Sequence, residues 1–319
     1  MYRPEIKVVD CTIRDGGLAN NSKFSFETVR AVYAACCAAG IDYVELGYRN
    51  SKKMFCPKEY GPWRFCDEDV LRQVVDGIDR GCTKLSVMQD SHKASADDMP
   101  QKDQSVIDMV RVATYVKDID KAIHLANTAV QKGYETAINI MAISHEGSPL
   151  LDEALQQIEE ETTVKAVYIV DSFGALYSET VQYLVEKFQM YLKTKEVGIH
   201  AHNNQQLGFA NTIEGIIKGA NYVDGTLYGL GRAAGNCPLE LLLGFLKNPK
   251  FDMVPILDVI GKAIIPLRDQ IEWGYTVPYM LSGVLDRHPQ LSMQWVEGGG
   301  PKKHDYVAFY KLISESPEQ

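Results

Sequence analysis

The chain has 319 residues, a formal net charge of -9 at pH 7, and 45% hydrophobic against 24% charged residues. That balance excludes a disordered chain and suits a soluble one with a core large enough for a barrel-sized domain. The acidic total gives no cationic field to collect phosphates, so no nucleic-acid partner is expected; a small anionic substrate would respond to local pocket charge instead.

The first residues, Met1 to Glu5, lead straight into an apolar strand, without a basic flank, a long signal core or a membrane-length apolar run. Seven cysteines, Cys11, Cys36, Cys37, Cys56, Cys66, Cys82 and Cys237, contain no C-x-x-C pair. Their odd number in a chain this large reads as reduced thiols. The expectation is a cytoplasmic protein with no membrane association.

In chain order, short β-rich runs alternate with helical ones. Ile6 to Thr12 reads as a strand, Ser25 to Ala39 as a helix stopped by Gly40, and Tyr43 to Gly47 as a second strand. Asp67 to Arg80 is helical, Lys84 to Gln89 a third strand, Gln104 to Met109 a short helix and Val110 to Tyr115 a fourth strand. Helix Ile119 to Lys132, strand Thr136 to Ile143, helix Leu151 to Glu160 and strand Ala166 to Asp171 follow. Helix Ser178 to Leu192, strand Val197 to His202, helix Leu207 to Lys218 and strand Tyr222 to Leu227 complete eight strands, and an eighth helix begins after Cys237.

Repeated βα units fit either an open doubly wound sheet or a closed barrel. The turn after the first strand, Ile13-Arg14-Asp15-Gly16-Gly17-Leu18, lacks the G-x-G-x-x-G of a dinucleotide site. Eight units over about 235 residues match a closed barrel. The expected fold is therefore α/β, a (β/α)8 TIM barrel over residues 1–250 with a small C-terminal helical extension over 251–319. In the extension, Met253 to Ile264 and Pro278 to Arg287 are helix-like, Gly298-Gly299-Gly300-Pro301 interrupts, and Tyr306 to Ile313 is amphipathic. These helices would cap or flank the barrel or form a homodimer contact.

In such a barrel the C-terminal strand ends share one mouth. Strand seven ends Gly198-Ile199-His200-Ala201-His202-Asn203-Asn204, which puts His200 and His202 on one face. Two imidazoles so placed are either ligands of a divalent cation or hydrogen-bonding core histidines. Asp15, at the end of strand one, is the third candidate ligand, since only strand eight separates strands one and seven. Arg14 beside it either neutralises a developing enolate or forms a surface ion pair with Asp15. Strand eight offers Asp224 to orient a ligand histidine. The loop Gly229-Leu230-Gly231-Arg232-Ala233-Ala234-Gly235-Asn236 offers Asn236 as a further oxygen ligand. Glu45 is the candidate brace for Arg14. Arg49 and Lys93 would select an anionic substrate if they turn inward. Gln89 with Asp90, Ser144 with His145, and Asp171 with Ser172 are the remaining polar strand ends; Ser144 and Asp171 are candidates to bind substrate, though many such groups merely satisfy hydrogen bonds inside a barrel.

These motifs resemble those of the metal-dependent carbon–carbon lyase and synthase barrels that include 4-hydroxy-2-oxovalerate aldolase, 3-hydroxy-3-methylglutaryl-CoA lyase and 2-isopropylmalate synthase. Asp10-Cys11-Thr12-Ile13-Arg14-Asp15-Gly16 matches the D-x-T-x-R-D-G signature, Val44-Glu45 the acidic second strand, and Ile199-His200-Ala201-His202-Asn203 the metal-binding strand. Val112-Ala113-Thr114, Ser144-His145, Asp171-Ser172 and Gly235-Asn236-Cys237-Pro238-Leu239-Glu240 draw the likeness toward the 4-hydroxy-2-oxo acid aldolases, over about residues 6 to 245. The resemblance implies Mn2+ or Mg2+ on Asp15, His200 and His202, with Asn236 a ligand in the CoA-lyase branch. It also implies a 2-oxo acid substrate and enolate stabilisation by Arg14.

Those aldolases carry a catalytic histidine three positions after the signature aspartate, where this chain has Leu18. A replacement base must come from elsewhere, with His145, Tyr48 and Tyr228 the suspects. The expected activity is cleavage of a 4-hydroxy-2-oxo acid to pyruvate and an aldehyde. The alternatives are a Claisen-type acyl-CoA synthase or CoA-ester lyase, and a non-catalytic metal-binding barrel. The tail gives no ground to assume an aldehyde dehydrogenase partner.

Overall fold

Each strand is buried along nearly its whole length, polar residues included, the pattern of strands covered on both faces. The computed structural model describes residues 3–298 and 301–316. Met1 and Tyr2 of the lead-in and Gly299 and Gly300 of the tail lie outside the described residues, as do 317–319. The strands are β1 (Lys7–Asp10), β2 (Tyr43–Tyr48), β3 (Lys84–Asp90), β4 (Met109–Thr114), β5 (Glu135–Ile140), β6 (Ala166–Asp171), β7 (Glu196–Ala201) and β8 (Tyr222–Gly225). They pair in sequence order, all parallel, and β8 closes onto β1 from Lys7 opposite Tyr222 to Asp10 opposite Gly225. Amphipathic helices ring the outside, so the fold is a (β/α)8 TIM barrel with helices following it. None of the described helices is long and apolar enough to cross a membrane.

Several expected elements differ. β1 stops at Asp10, and Thr12–Gly16 winds into a single helical turn that carries Arg14 and Asp15. The helix expected over Asp67 to Arg80 ends at Val75, ahead of Gly77 at φ +66°. Gln104 to Met109 forms no helix: the β3–β4 crossover uses 3-10 turns at Ala96–Asp98 and Lys102–Gln104. There the Ser105 hydroxyl accepts from its own Ile107 N–H and donates to Glu68, a local bond that competes with helix formation. Strands five and eight each end earlier than expected, at Ile140 and Gly225.

β2 contains a bulge between Glu45 and Tyr48. Gly47 sits at φ +155°, where a Cβ would stand 2.0 Å from the Trp63 carbonyl oxygen. Strict alternation from an inward Glu45 would turn Tyr48 outward; the extra residue instead brings both to the barrel axis and the mouth.

The lower interior is filled by Val9, Tyr43, Met109, Ala137, Tyr168 and Tyr222. Above them lies the fully buried Arg111 of β4, its guanidinium 4.3 Å from the Tyr168 ring centroid. Gly198 of β7 makes room for that ring, since a Cβ there would fall 2.6 Å from it. Arg111 donates to Glu45 at 3.0 Å and to Asp224 at 2.6 Å.

After the barrel, Met253–Val259 continues through a π turn, Ile260–Ile264. Helices Val277–Val284, Gln290–Glu297 and Tyr306–Glu315 follow. Tyr279, Met293 and Val296 pack on Ala233 and Ala234 of the loop after β8, seating this extension beside the mouth.

Removing Arg111 would strand two buried carboxylates. Arg111→Met is expected to lower stability by about 3–5 kcal/mol in urea unfolding. Lys262→Ala, which breaks an exposed pair with Asp258, should leave the midpoint unchanged. Equal effects from the two substitutions would contradict the role given to Arg111.

Candidate metal centre

The helical turn after β1 drives Asp15 into the mouth, fully buried, and β7 presents His200 and His202 on the same side. Asp15 Oδ2 lies 3.7 Å from His200 Nε2 and 3.8 Å from His202 Nε2. Both gaps exceed a hydrogen bond but match ligands sharing one ion, which sit no more than about 4.2 Å apart at bonds of about 2.1 Å. One ligand atom from each of the three residues lies within 4.8 Å of the others.

The surroundings fix these ligands. His200 Nδ1 donates to Asp224 Oδ2 at 2.9 Å, which leaves the lone pair on a buried Nε2 that has no partner. Asn236 Nδ2 donates to Asp15, while its buried Oδ1 is also unpartnered. Arg14 donates through Nη1 to Asp15 at 2.9 Å and through Nε to Glu45 at 2.7 Å. Burial alone would raise the Asp15 carboxyl, but Arg14, both histidines and Asn236 override it and hold it well below the usual range. Burial pulls His202 down to about 3, so its imidazole is neutral at pH 7. Three formal carboxylates, Asp15, Glu45 and Asp224, share two directly paired guanidiniums, Arg14 and Arg111.

A pair of orphaned acceptors and a neutral imidazole beside an ionised, buried carboxylate fit a divalent cation. A second cluster, Cys11, His200 and Asp224, fits one less well. Burial pushes the Cys11 thiol up, and Arg111 already donates to both Cys11 Sγ and Asp224.

Above the Asp15 cluster is a cavity of about 170 Å3. Leu18, Met88, Ala113, Met141 and Val170 form its apolar wall; Tyr48, Tyr115, Ser172, Arg232, His288 and the Lys93–Asp90 ion pair form its polar one. Of the residues expected at the site, Arg14, Asp15, Tyr48, Lys93, His200 and His202 line this cavity, and Glu45 and Asn236 stand directly behind them.

Five others do not line it. The residue after the β2 bulge, Arg49, turns away to the Cys66 and Asp98 carbonyls and to Glu68. Tyr228 is exposed, at φ +55°, with its ring against Trp273. Ser144 and His145 bond instead to Asp286 of the extension, each at 2.8 Å. Asp171 shapes its own loop by accepting the Ala175 and Leu176 N–H groups. In turn, Arg111, Arg232 and His288 were not anticipated. A lone arginine inside the apolar run Met109–Thr114 signals Arg111, whereas His288 comes from beyond the barrel and carries no local signal.

The closed parallel barrel and its mouth set the fold; similarity to known proteins supplies the class, a TIM-barrel aldolase or lyase. A family model described as HMGL-like matches residues 5–257, and the chain belongs to the HMGL-like family. The chain is 31% identical over 284 residues to the 4-hydroxy-2-oxovalerate aldolase of Thermus thermophilus, covering 85% of this chain and 81% of that one. It is 29% identical to an oxaloacetate decarboxylase of Mycobacterium tuberculosis, covering 76% and 70%. The N-terminal domain of a candidate aldolase from Bacteroides vulgatus superposes with a TM-score of 0.81 at 31% identity, covering 92% and 97%. The HMG-CoA lyase of Brucella melitensis shares the fold, with a TM-score of 0.66 at 16% identity and coverage of 83% and 99%.

Burial raises the Asp171 carboxyl to about 7, against about 4 in an unfolded chain. Between those values the folded state binds the extra proton, so this group's stabilisation is full below about pH 4 and is lost as pH rises to about 7. Wild type should therefore lose stability relative to Asp171→Asn across that window. Parallel pH profiles from denaturant unfolding would refute the assignment.

Proposed function

We propose that the protein is a divalent-metal-dependent carbon–carbon lyase that cleaves a 4-hydroxy-2-oxo acid to pyruvate and an aldehyde. The observation that carries this reading is the convergence of Asp15, His200 and His202 beside Arg14 at the floor of a small cavity. The aldolase names of several relatives support it. Seven free thiols favour a reducing, cytoplasmic setting.

Asp15, His200 and His202 would hold Mn2+ or Mg2+, with Asn236 Oδ1 as a further oxygen ligand, and the bound ion would supply Lewis-acid polarisation of the 2-oxo group. Arg14 has two nitrogens committed to Asp15 and Glu45, and its Nη2 remains to stabilise charge on the C2 oxygen as the C3–C4 bond breaks. Cleavage also requires a group to take the 4-hydroxyl proton. Of the three suspected replacements for the missing histidine, Tyr48 alone lines the cavity. Burial raises its phenol against the opposing pull of Arg14 and Arg64, so Tyr48 is a neutral hydroxyl that takes the 4-hydroxyl proton only as it releases its own to solvent at the open end of the cavity.

Leu18 favours a second reading, decarboxylation of a 3-carboxy-2-oxo acid. There the bond from C3 to the carboxylate breaks, CO2 leaves and the same enolate forms, with no hydroxyl proton to remove. The relative named oxaloacetate decarboxylase is consistent with it.

Incubation with 4-hydroxy-2-oxo acids and Mn2+ should release pyruvate, and Tyr48→Phe should cut kcat by roughly 100-fold with little change in KM. Pyruvate from oxaloacetate above the rate of Mn2+ alone, without aldol cleavage, would select the second reading; release from neither would refute both. His200→Ala should weaken Mn2+ binding roughly tenfold or more by calorimetry. Unchanged affinity would remove His200 from the ligand set.

A further inference from the structure

Three cations line the cavity, and their pairing differs. Arg14 is neutralised by Asp15 and Glu45, and Lys93 by Asp90 at 2.7 Å. Arg232, from the loop after β8, has no carboxylate oxygen within ion-pair reach among the described residues. Its Nη2 donates to the Ser172 carbonyl at 3.0 Å, its Nη1 to His288 Nε2 at 3.1 Å, and its buried Nε has no partner. A partly buried guanidinium with no directly paired carboxylate, offset only by the more distant charge of Asp15, gains from an anion that completes it.

His288 sharpens the deficit. The Gln290 N–H approaches its Nδ1 at 3.2 Å while Arg232 approaches its Nε2. A neutral imidazole accepts at one nitrogen only, so the ring meets just one of these two N–H groups. Burial and the two nearby cations, Arg232 and Lys93, lower the His288 pKa to about 4, which keeps the ring neutral at pH 7.

The pair is also held in place. Ser144 and His145 grip Asp286, and Phe173 stands between His145 at 5.0 Å and His288 at 5.7 Å. The turn that delivers His288 is thus fastened to the ends of β5 and β6. Every hydrogen bond of Arg232 runs to that side of the mouth and none to the Asp15, His200 and His202 cluster.

We infer that Arg232 and His288 form the seat for a second carboxylate, carried at the end of the substrate remote from its 2-oxo acid group. The substrate class is then a 2-oxo dicarboxylate, and the C-terminal extension sets specificity. This rests on the lyase reading only for the 2-oxo end of the ligand.

Two five-carbon 2-oxo acids that lack a 4-hydroxyl, 2-oxoglutarate and 2-oxovalerate, differ at the far end by a carboxylate against a methyl. Calorimetry on the Mn2+-loaded protein should find 2-oxoglutarate bound roughly tenfold tighter or more. Arg232→Met should erase the preference, Arg232→Lys keep part of it, and His288→Asn narrow it. Should Arg232→Met fail to fold, as read from its unfolding midpoint, the lysine and His288 variants carry the test. Equal binding of the two acids by wild type would overturn the seat, as would an Arg232 variant that weakens both acids alike, the mark of a residue holding the shared carboxylate. A preference for 2-oxoglutarate without turnover of any 4-hydroxy-2-oxo acid would sink the lyase reading and leave the seat standing. Turnover without preference would do the reverse.

Discussion

The guanidinium of Arg111, sealed inside the barrel above Tyr168, ties the two halves of the mouth together. One of its nitrogens bonds Glu45, whose same carboxylate oxygen accepts Arg14; the other bonds Asp224, whose oxygen accepts His200. Arg14 and His200 in turn converge on Asp15. The orientation of the residue meant for developing charge and that of a candidate metal ligand are therefore set by one buried cation. A charge so deep is unfavourable by itself, and two carboxylates and the Tyr168 ring compensate it. This arrangement leaves the buried His200 Nε2 as an acceptor turned toward Asp15, a pairing a cation would bridge.

Around that frame, backbone irregularities decide which side chains enter the cavity. The β2 bulge brings Tyr48 inward and sends Arg49 out to Glu68 and two carbonyls. The helical turn after β1 carries Asp15 across the barrel end in place of a simple strand terminus. The extension contributes a residue to the site itself, because Asp286 is clamped by Ser144 and His145 and the following turn delivers His288. Two side chains that look catalytic from their position at a strand end thus do structural service for one that lies over a hundred residues later.

The barrel was legible because eight apolar runs at βα spacing are a long-range pattern that survives errors of two or three residues at every boundary. The clustering of Asp15, His200 and His202 was legible for a related reason: His-x-His on a strand has a fixed face, and in a closed barrel only strand eight separates strands one and seven. Arg49 turns outward because a bulge reverses alternation without a clear mark in the local sequence. His145 and Asp171 were drawn toward the cavity by the rule that strand ends face it, yet the loops that follow turn them to Asp286 and to backbone N–H groups. Arg232 and His288 become visible as a pair only once the tail is folded over the mouth.

The account stands or falls on where a divalent ion binds. Crystals soaked in Mn2+ and read by anomalous scattering should show a single strong peak bounded by Asp15, His200 Nε2 and His202 Nε2, with Asn236 Oδ1 adjacent. A peak among Cys11, His200 and Asp224, or no peak at the mouth at saturating Mn2+, would contradict it.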